Sequence, residues 1–161
     1  MKVMKENAVV HYKSATVENY PVVRELFTEY ADSLGIDLNF QDFEGELASL
    51  PGKYGSPDGS ILLAIVDGKV AGCIAYRKLA DKVCEMKRPY VRKAYRNLGI
   101  GKELVLRLIE EAKGIPYESM RLDTLATMKS AQKLYRAIGF YEIPPYTYNP
   151  VAGTLYMELK L

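Results

Sequence analysis

The chain has 161 residues, a net charge of +2, 48% apolar and 26% charged side chains. That suits one domain spanning residues 1–161, large enough to bury a core without staples, and it excludes disordered and collagen-like classes. No apolar run approaches the ~20 residues of a membrane helix, and "MKVMKENAVVHYKSA" has neither a long apolar stretch nor a cleavage pattern, so a cytoplasmic protein is expected.

In chain order, "AVVHYKSAT" (Ala8–Thr16) alternates weakly and reads as a strand. Thr16 and Asn19 then open a helix that places Val23, Leu26, Phe27, Tyr30 and Leu34 on one face and stops at Gly35. A shorter helix is expected over Gln41–Leu50, ended by the breaker-rich "PGKYGSPDG". "SILLAIVDGKVAGCIAYRKL" is two apolar, β-branched runs around Asp67-Gly68, a strong hairpin signal. "DKVCEMKRPYV" is a third strand of this group, with Cys84 and Met86 on one face and Glu85 and Lys87 on the other. After a glycine-bearing loop, Leu104, Val105, Leu108, Ile109 and Ala112 recur at helical spacing. "MRLDTL" reads as a short buried strand, "MKSAQKLYRAIGF" as a helix closed by Gly139, and "GTLYMELKL" as a final strand with Leu155, Met157, Leu159 and Leu161 on one face. The order β-α-α-β-β-β-α-β-α-β-β predicts an α+β (α/β layered) domain around a mixed sheet.

Charge is unevenly spread. Val17–Asp58 holds nine acids and two bases, whereas Lys87–Lys102 holds six bases and no acid. A local basic run in a near-neutral chain points to an anion site rather than a general nucleic-acid surface. His11 is the sole histidine, and Cys73 and Cys84 form no C-x-x-C, so no metal site is expected and the cysteines read as reduced, partly buried thiols.

The anion site falls in "YVRKAYRNLGIGKEL" (Tyr90–Leu104). A strand, a glycine turn and a helix start offer unpartnered N–H groups and the positive end of the helix dipole. The dinucleotide pattern G-x-G-x-x-G fails at Leu104, and the ATP loop G-x-x-x-x-G-K-[ST] fails at Arg96 and Glu103. What remains is "RNLGIG".

That pattern resembles the acyl-CoA pyrophosphate loop of the GCN5-related N-acetyltransferase (GNAT) superfamily. "CEMKRPYVRKAYRNLGIGKELVLRLIEEA" resembles its strand–loop–helix throughout, and "SAQKLYRAIGF" resembles the helix that follows. The resemblance implies a mostly antiparallel sheet with helices on both faces, splayed between its fourth and fifth strands to admit acetyl-CoA. It further implies that the N–H groups of Asn97, Leu98, Gly99, Ile100, Gly101 and Lys102 hold the pyrophosphate. Arg96 would stand at the loop entrance, and Tyr90 and Val91 would pair their backbone with the pantetheine arm. The acceptor would be a small-molecule or peptide amine. Membrane and nucleic-acid partners are not expected. Dimers are common in the superfamily, and the sequence itself carries no sign of assembly.

Acetyl transfer to an alkylamine must first remove a proton. At a pKa of ~10.4 the neutral form costs about 4.6 kcal/mol at pH 7, whereas protonating a leaving thiolate of pKa ~8.5 matters by about 2 kcal/mol. By position Glu85 resembles the glutamate that some members use as general base; an ion pair with Lys87 or an arginine is the competing role. Tyr135 matches the helix tyrosine near the CoA sulfur, the acid of the reaction, against a plain core role. Two positions depart from the pattern. Pro89 has no N–H where relatives often bind the thioester carbonyl, and Met128 replaces a frequent asparagine. The acidic first helices, with Glu25, Glu29, Asp32, Asp42, Glu44 and Glu46, suggest a cationic acceptor or else a solvated face, and "PPYTYNPVAG" suggests a wall of its pocket. Three functions compete: an acetyl-CoA-dependent N-acetyltransferase, a non-catalytic CoA-binding module, and a nucleic-acid binder that stacks Tyr90 and Tyr95.

Overall fold

The computed structural model describes residues 9–161. Ala8, where the first strand was expected to begin, and most of the N-terminal stretch examined for a leader lie outside these residues. Strand β1 (Val10–Ser14) leads to helix α1 (Tyr20–Leu34) and the short helix α2 (Phe43–Ala48). Strands β2 (Ser60–Val66), β3 (Lys69–Ala80) and β4 (Val83–Val91) follow, then α3 (Ile100–Gly114), β5 (Ser119–Thr124), α4 (Lys129–Ile138), β6 (Tyr141–Ile143) and β7 (Leu155–Lys160). The order is the one the sequence predicts.

The strands form one seven-stranded sheet, β1-β2-β3-β4-β5-β7-β6. Every neighbouring pair is antiparallel except β4–β5, which is parallel and short. Period-two alternation divides the core between the faces. Leu62, Ala64, Ile74, Cys84, Met86, Met120, Leu122 and Met157 point to α3 and α4 and pack on Leu104, Leu108 and Tyr135. Ile61, Leu63, Cys73 and Ala75 point to the other face and meet Val23, Leu26 and Phe27 of α1, which are fully buried. Each such aliphatic or aromatic side chain stabilises the fold by about 1.5–3 kcal/mol. Cys73 and Cys84 are buried free thiols, and burial pushes the Cys84 thiol up to about 12.

Helix boundaries shift where local chemistry competes. A 3-10 turn over Val17–Asn19 precedes α1, with the Thr16 N–H donating to Asn19 Oδ1 at 2.9 Å. Gly35 ends α1 at φ 66°, the left-handed conformation glycine adopts without penalty. The second helix is shorter than the expected Gln41–Leu50, because Asp42 sits at φ 53° and separates a 3-10 turn (Leu38–Gln41) from α2.

Candidate active site

The site begins where the sheet stops pairing. β4 and β5 match at only three positions: Val83–Ser119, Cys84–Met120 and Glu85–Arg121. β4 continues to Val91 and β5 to Thr124 without meeting again, so the sheet splays between its fourth and fifth strands. Two spaces open in the gap. A cavity of about 30 Å³ is lined by Tyr30, Gln41, Lys87, Arg88, Asp123 and Thr124, among others. A groove of about 130 Å³ runs beside Tyr90, Val91, Gly101 and Leu104. Pro89, Met128 and Tyr135 line both, so these three residues stand at the junction.

The groove side depends on a bulge in β4. Ala75 pairs with Lys87 and Cys73 with Tyr90, so Arg88 and Pro89 together face Ile74. Arg88 holds φ 60°, which a non-glycine residue adopts only under local constraint. The constraint is a fork of hydrogen bonds: Arg88 Nε to Glu46 Oε2 at 2.9 Å and Nη2 to Glu46 Oε1 at 3.0 Å. Its guanidinium also lies 5.3 Å from the centre of the Phe43 ring. Past the bulge the ladder resumes, and the Arg92 N–H donates to the Ala71 carbonyl at 2.8 Å. In an antiparallel ladder the groups two residues away point the same way. Tyr90, opposite Cys73, therefore turns its peptide groups into the sheet, and Val91 turns its own outward to the groove. The Val91 carbonyl accepts from Arg96 Nε at 3.0 Å. Of the two residues expected to pair with a pantetheine arm, Val91 faces the groove with a backbone N–H and Tyr90 does not.

The loop carries the features of an anion cradle. Arg96, Asn97, Gly99 and Lys102 are exposed, Leu98 and Gly101 half-buried and Ile100 buried. Asn97 and Gly99 both take positive φ, 68° and 76°. Glu103 is the first residue of α3 whose N–H reaches back, to the Gly99 carbonyl at 3.1 Å; among the described residues the N–H groups of Asn97 through Lys102 have no backbone partner. Space is open where a phosphate would approach. A Cβ added at Gly99 meets nothing within 4 Å, and one at Gly101 only Val91 Cγ2 at 3.9 Å.

The basic run does not act as one patch. Arg88 is paired with Glu46, and Arg92 with Glu29 at 2.8 Å and Glu25 at 3.2 Å. Lys87 points to the same side and donates to Gln41 Oε1 at 3.0 Å. Lys93, Arg96 and Lys102 remain exposed. Three of the six acids that suggested a cationic acceptor thus neutralise arginines, while Asp32, Asp42 and Glu44 are exposed and do not line the cavity.

Tyr135 is 4% exposed and packs against Phe140 at 5.7 Å between ring centres. Burial holds its hydroxyl well above the ordinary tyrosine range, so it keeps its proton. Glu85 is 1% exposed and does not line the cavity. Its Oε1 accepts from Arg77 Nε at 3.0 Å and lies 3.0 Å from Arg77 Nη2, and its Oε2 accepts from the Tyr146 hydroxyl at 2.7 Å. The ion-pair role weighed for it is present, with Arg77 as partner. The carboxylate that lines the cavity is Asp123, with Oδ2 accepting from Asn149 Nδ2 at 3.1 Å. Sequence reasoning passed over it, although a charge inside the apolar run "MRLDTL" was a usable signal. Asn149 and Tyr146 both come from the "PPYTYNPVAG" stretch that was expected to form a wall.

Among the described residues no helix is long and apolar enough to cross a membrane, and no cluster of potential metal ligands occurs. The Acetyltransferase (GNAT) family matches residues 20–140. The chain is 41% identical over 138 residues to an uncharacterized N-acetyltransferase of Schizosaccharomyces pombe, covering 84% of this chain and 85% of that one. It is 35% identical over 125 residues to an N-acetylaspartate synthetase of Rattus norvegicus, covering 71% of this chain and 42% of that one. The fold is similar to that of the PaiA N-acetyltransferase of Thermoplasma acidophilum, solved in complex with coenzyme A, with a TM-score of 0.72, 18% identity and coverage of 95% and 99%. The chain belongs to the Acetyltransferase (GNAT) family.

Proposed function

We propose that the protein transfers the acetyl group of acetyl-CoA to a primary amine by direct attack. The observation that carries this reading is the junction at Pro89, Met128 and Tyr135, where the groove beside the glycine loop meets the polar cavity. The pyrophosphate would lie on the N–H groups of Asn97 to Lys102 beside Arg96, and the pantetheine arm along Val91. The amine would enter from the cavity side. Asp123 is the carboxylate placed to take its proton, in preference to Glu85, whose two oxygens are already held. The amine nitrogen then attacks the thioester carbon, the carbon–sulfur bond breaks, and the CoA thiolate takes the Tyr135 proton. Val91 supplies the backbone donor that Pro89 lacks for the carbonyl oxygen. Internal pairing of Arg88 and Arg92 counts against a nucleic-acid surface, and buried free thiols suit a reducing, cytoplasmic setting.

The test is a thiol-release assay with acetyl-CoA and a panel of primary amines, run beside thermal unfolding with CoA. CoA at a hundredfold excess over Kd should add about 2.7 kcal/mol. Absence of any CoA shift at millimolar concentration overturns the proposal. CoA binding without turnover of any amine would return it to a binding module.

A further inference from the structure

Lys87 stands out among the cations at the splay. Arg77 is held by Glu85, Arg88 by Glu46, Arg92 by Glu29, and Arg121 by Glu158. Among the described residues no carboxylate reaches Lys87 within ion-pair distance; its one hydrogen bond is to the neutral Gln41 amide at 3.0 Å. Yet it is 6% exposed and lines the cavity. A buried ammonium without a paired charge is costly. That cost shows in its pKa, which burial and then the neighbouring Arg88 push below the usual lysine value, against the opposing pull of Glu85 and Asp123 at longer range. A second polar group in the same cavity is also unsatisfied. Thr124 is 4% exposed, and its Oγ1 is buried with no hydrogen-bond partner. Such an orphan costs about 1–3 kcal/mol and calls for a specific explanation. Asp123, the neighbour of Thr124 on β5, keeps Oδ1 without a hydrogen bond among the described residues, Asn149 holding only Oδ2.

The cavity therefore presents one unmatched cation, one carboxylate with an open oxygen, and one hydroxyl without a partner. All of them line a small, partly open space of about 30 Å³. A ligand that satisfies them carries a cationic or amine end for Asp123 and an anionic end for Lys87. The small space favours a compact ligand whose two ends lie close together. Resting on the acetyltransferase reading above, we propose that the acceptor is a small amino acid. Its carboxylate is bound by Lys87 Nζ, and its amine is directed by Asp123 toward the junction with the groove. A long polyamine offers nothing to Lys87 and would bring a second positive charge to it.

The test compares acids with their own amides on the CoA-binding protein: glycine with glycinamide, alanine with alaninamide, and aspartate and spermidine beside them. The amide amine is the less basic of each pair, so proton removal alone favours the amide. The proposal expects the opposite, with kcat/KM at least tenfold higher for the acid. Lys87→Met should reduce that acid-over-amide ratio at least tenfold, through KM for the acid, and Lys87→Arg should restore part of it. Calorimetric titration of the amino acids into the CoA complex gives a second readout. Amides or spermidine matching the acids in the wild type overturns the inference while leaving the acetyltransferase intact. So does a Lys87→Met variant that affects acid and amide alike, or an absence of both turnover and binding with every acid. If Lys87→Met does not fold, the wild-type comparison decides alone. Failure to bind CoA at all overturns the underlying reading together with this one.

Discussion

The loop proposed for pyrophosphate and the cavity proposed for the acceptor lie on the two sides of one splay but are built in different ways. The loop belongs to one continuous stretch, Tyr90 to Leu104, and its proposed ligands are main-chain N–H groups that any sequence with the right turn supplies. The cavity draws on Tyr30, Gln41, Lys87, Asp123, Tyr135 and Asn149, side chains from six separate segments. Its charges are balanced across the fold, by pairs such as Arg88–Glu46 that join residues 42 positions apart. A loop of the first kind tolerates change in its surroundings, whereas a cavity of the second kind depends on the whole packing that brings its walls together. Damage to the loop should therefore stay local, and damage to the cavity should spread into stability.

The largest expected effect lies in the cavity wall. Glu46→Ala leaves Arg88, 2% exposed, without its counter-charge, and removes the acceptor of the Tyr54 hydroxyl at 3.0 Å. Breaking one side of a buried pair costs about 3–5 kcal/mol. Urea unfolding should show that loss, and Arg88→Met combined with Glu46→Leu should recover most of it. If Glu46→Ala proves neutral, the bulge is not held from α2 and the cavity is less distributed than its ion pairs indicate. Next comes the proton. Asp123→Asn should lower kcat about a hundredfold, the lower end of general acid–base contributions. Glu85→Gln should act on stability instead, by weakening the Arg77 pair. The reverse result would return the base role to Glu85. A smaller effect is expected at the junction. Tyr135→Phe should slow turnover by no more than about thirtyfold, since protonating a thiolate of pKa ~8.5 is worth about 2 kcal/mol at pH 7. CoA affinity should hold. A complete loss of activity would mean that the tyrosine does more than protonate sulfur.

The same contrast explains what could be read from the sequence. Element order, the hairpin at Asp67-Gly68 and the glycine loop follow from local periodicity and turn chemistry, and they survive in the structure. Side-chain facing within the basic run does not follow from composition. Lys87, Arg88 and Arg92 look like part of a phosphate patch, but the bulge at Arg88–Pro89 and the strand alternation turn them toward α1 and α2. For the same reason the acids of those helices suggested a cationic ligand, when Glu25, Glu29 and Glu46 balance the protein's own arginines. Asp123 stood out only as a charge in an apolar run, and its role, like that of Thr124, depends on the neighbour from which the six-residue strand splays.

The smallest expected effect belongs to the loop, and it tests whether damage there stays local. Gly99 holds φ 76°, and a Cβ at that position meets no atom within 4 Å. Gly99→Val therefore introduces no clash; its cost is the left-handed conformation itself, about 1–2 kcal/mol. That cost can fall in either of two places. If the loop keeps its shape, unfolding stability drops by that amount and CoA affinity holds. If the loop relaxes, stability holds and CoA binds roughly tenfold more weakly. Asn97 and Gly99 themselves are exposed, so relaxation is expected, and melting with and without CoA distinguishes the outcomes. A loss confined to the CoA-bound sample would show the loop to be a local element. An equal loss in both samples would show that the fold enforces its conformation, and the contrast with the cavity would narrow.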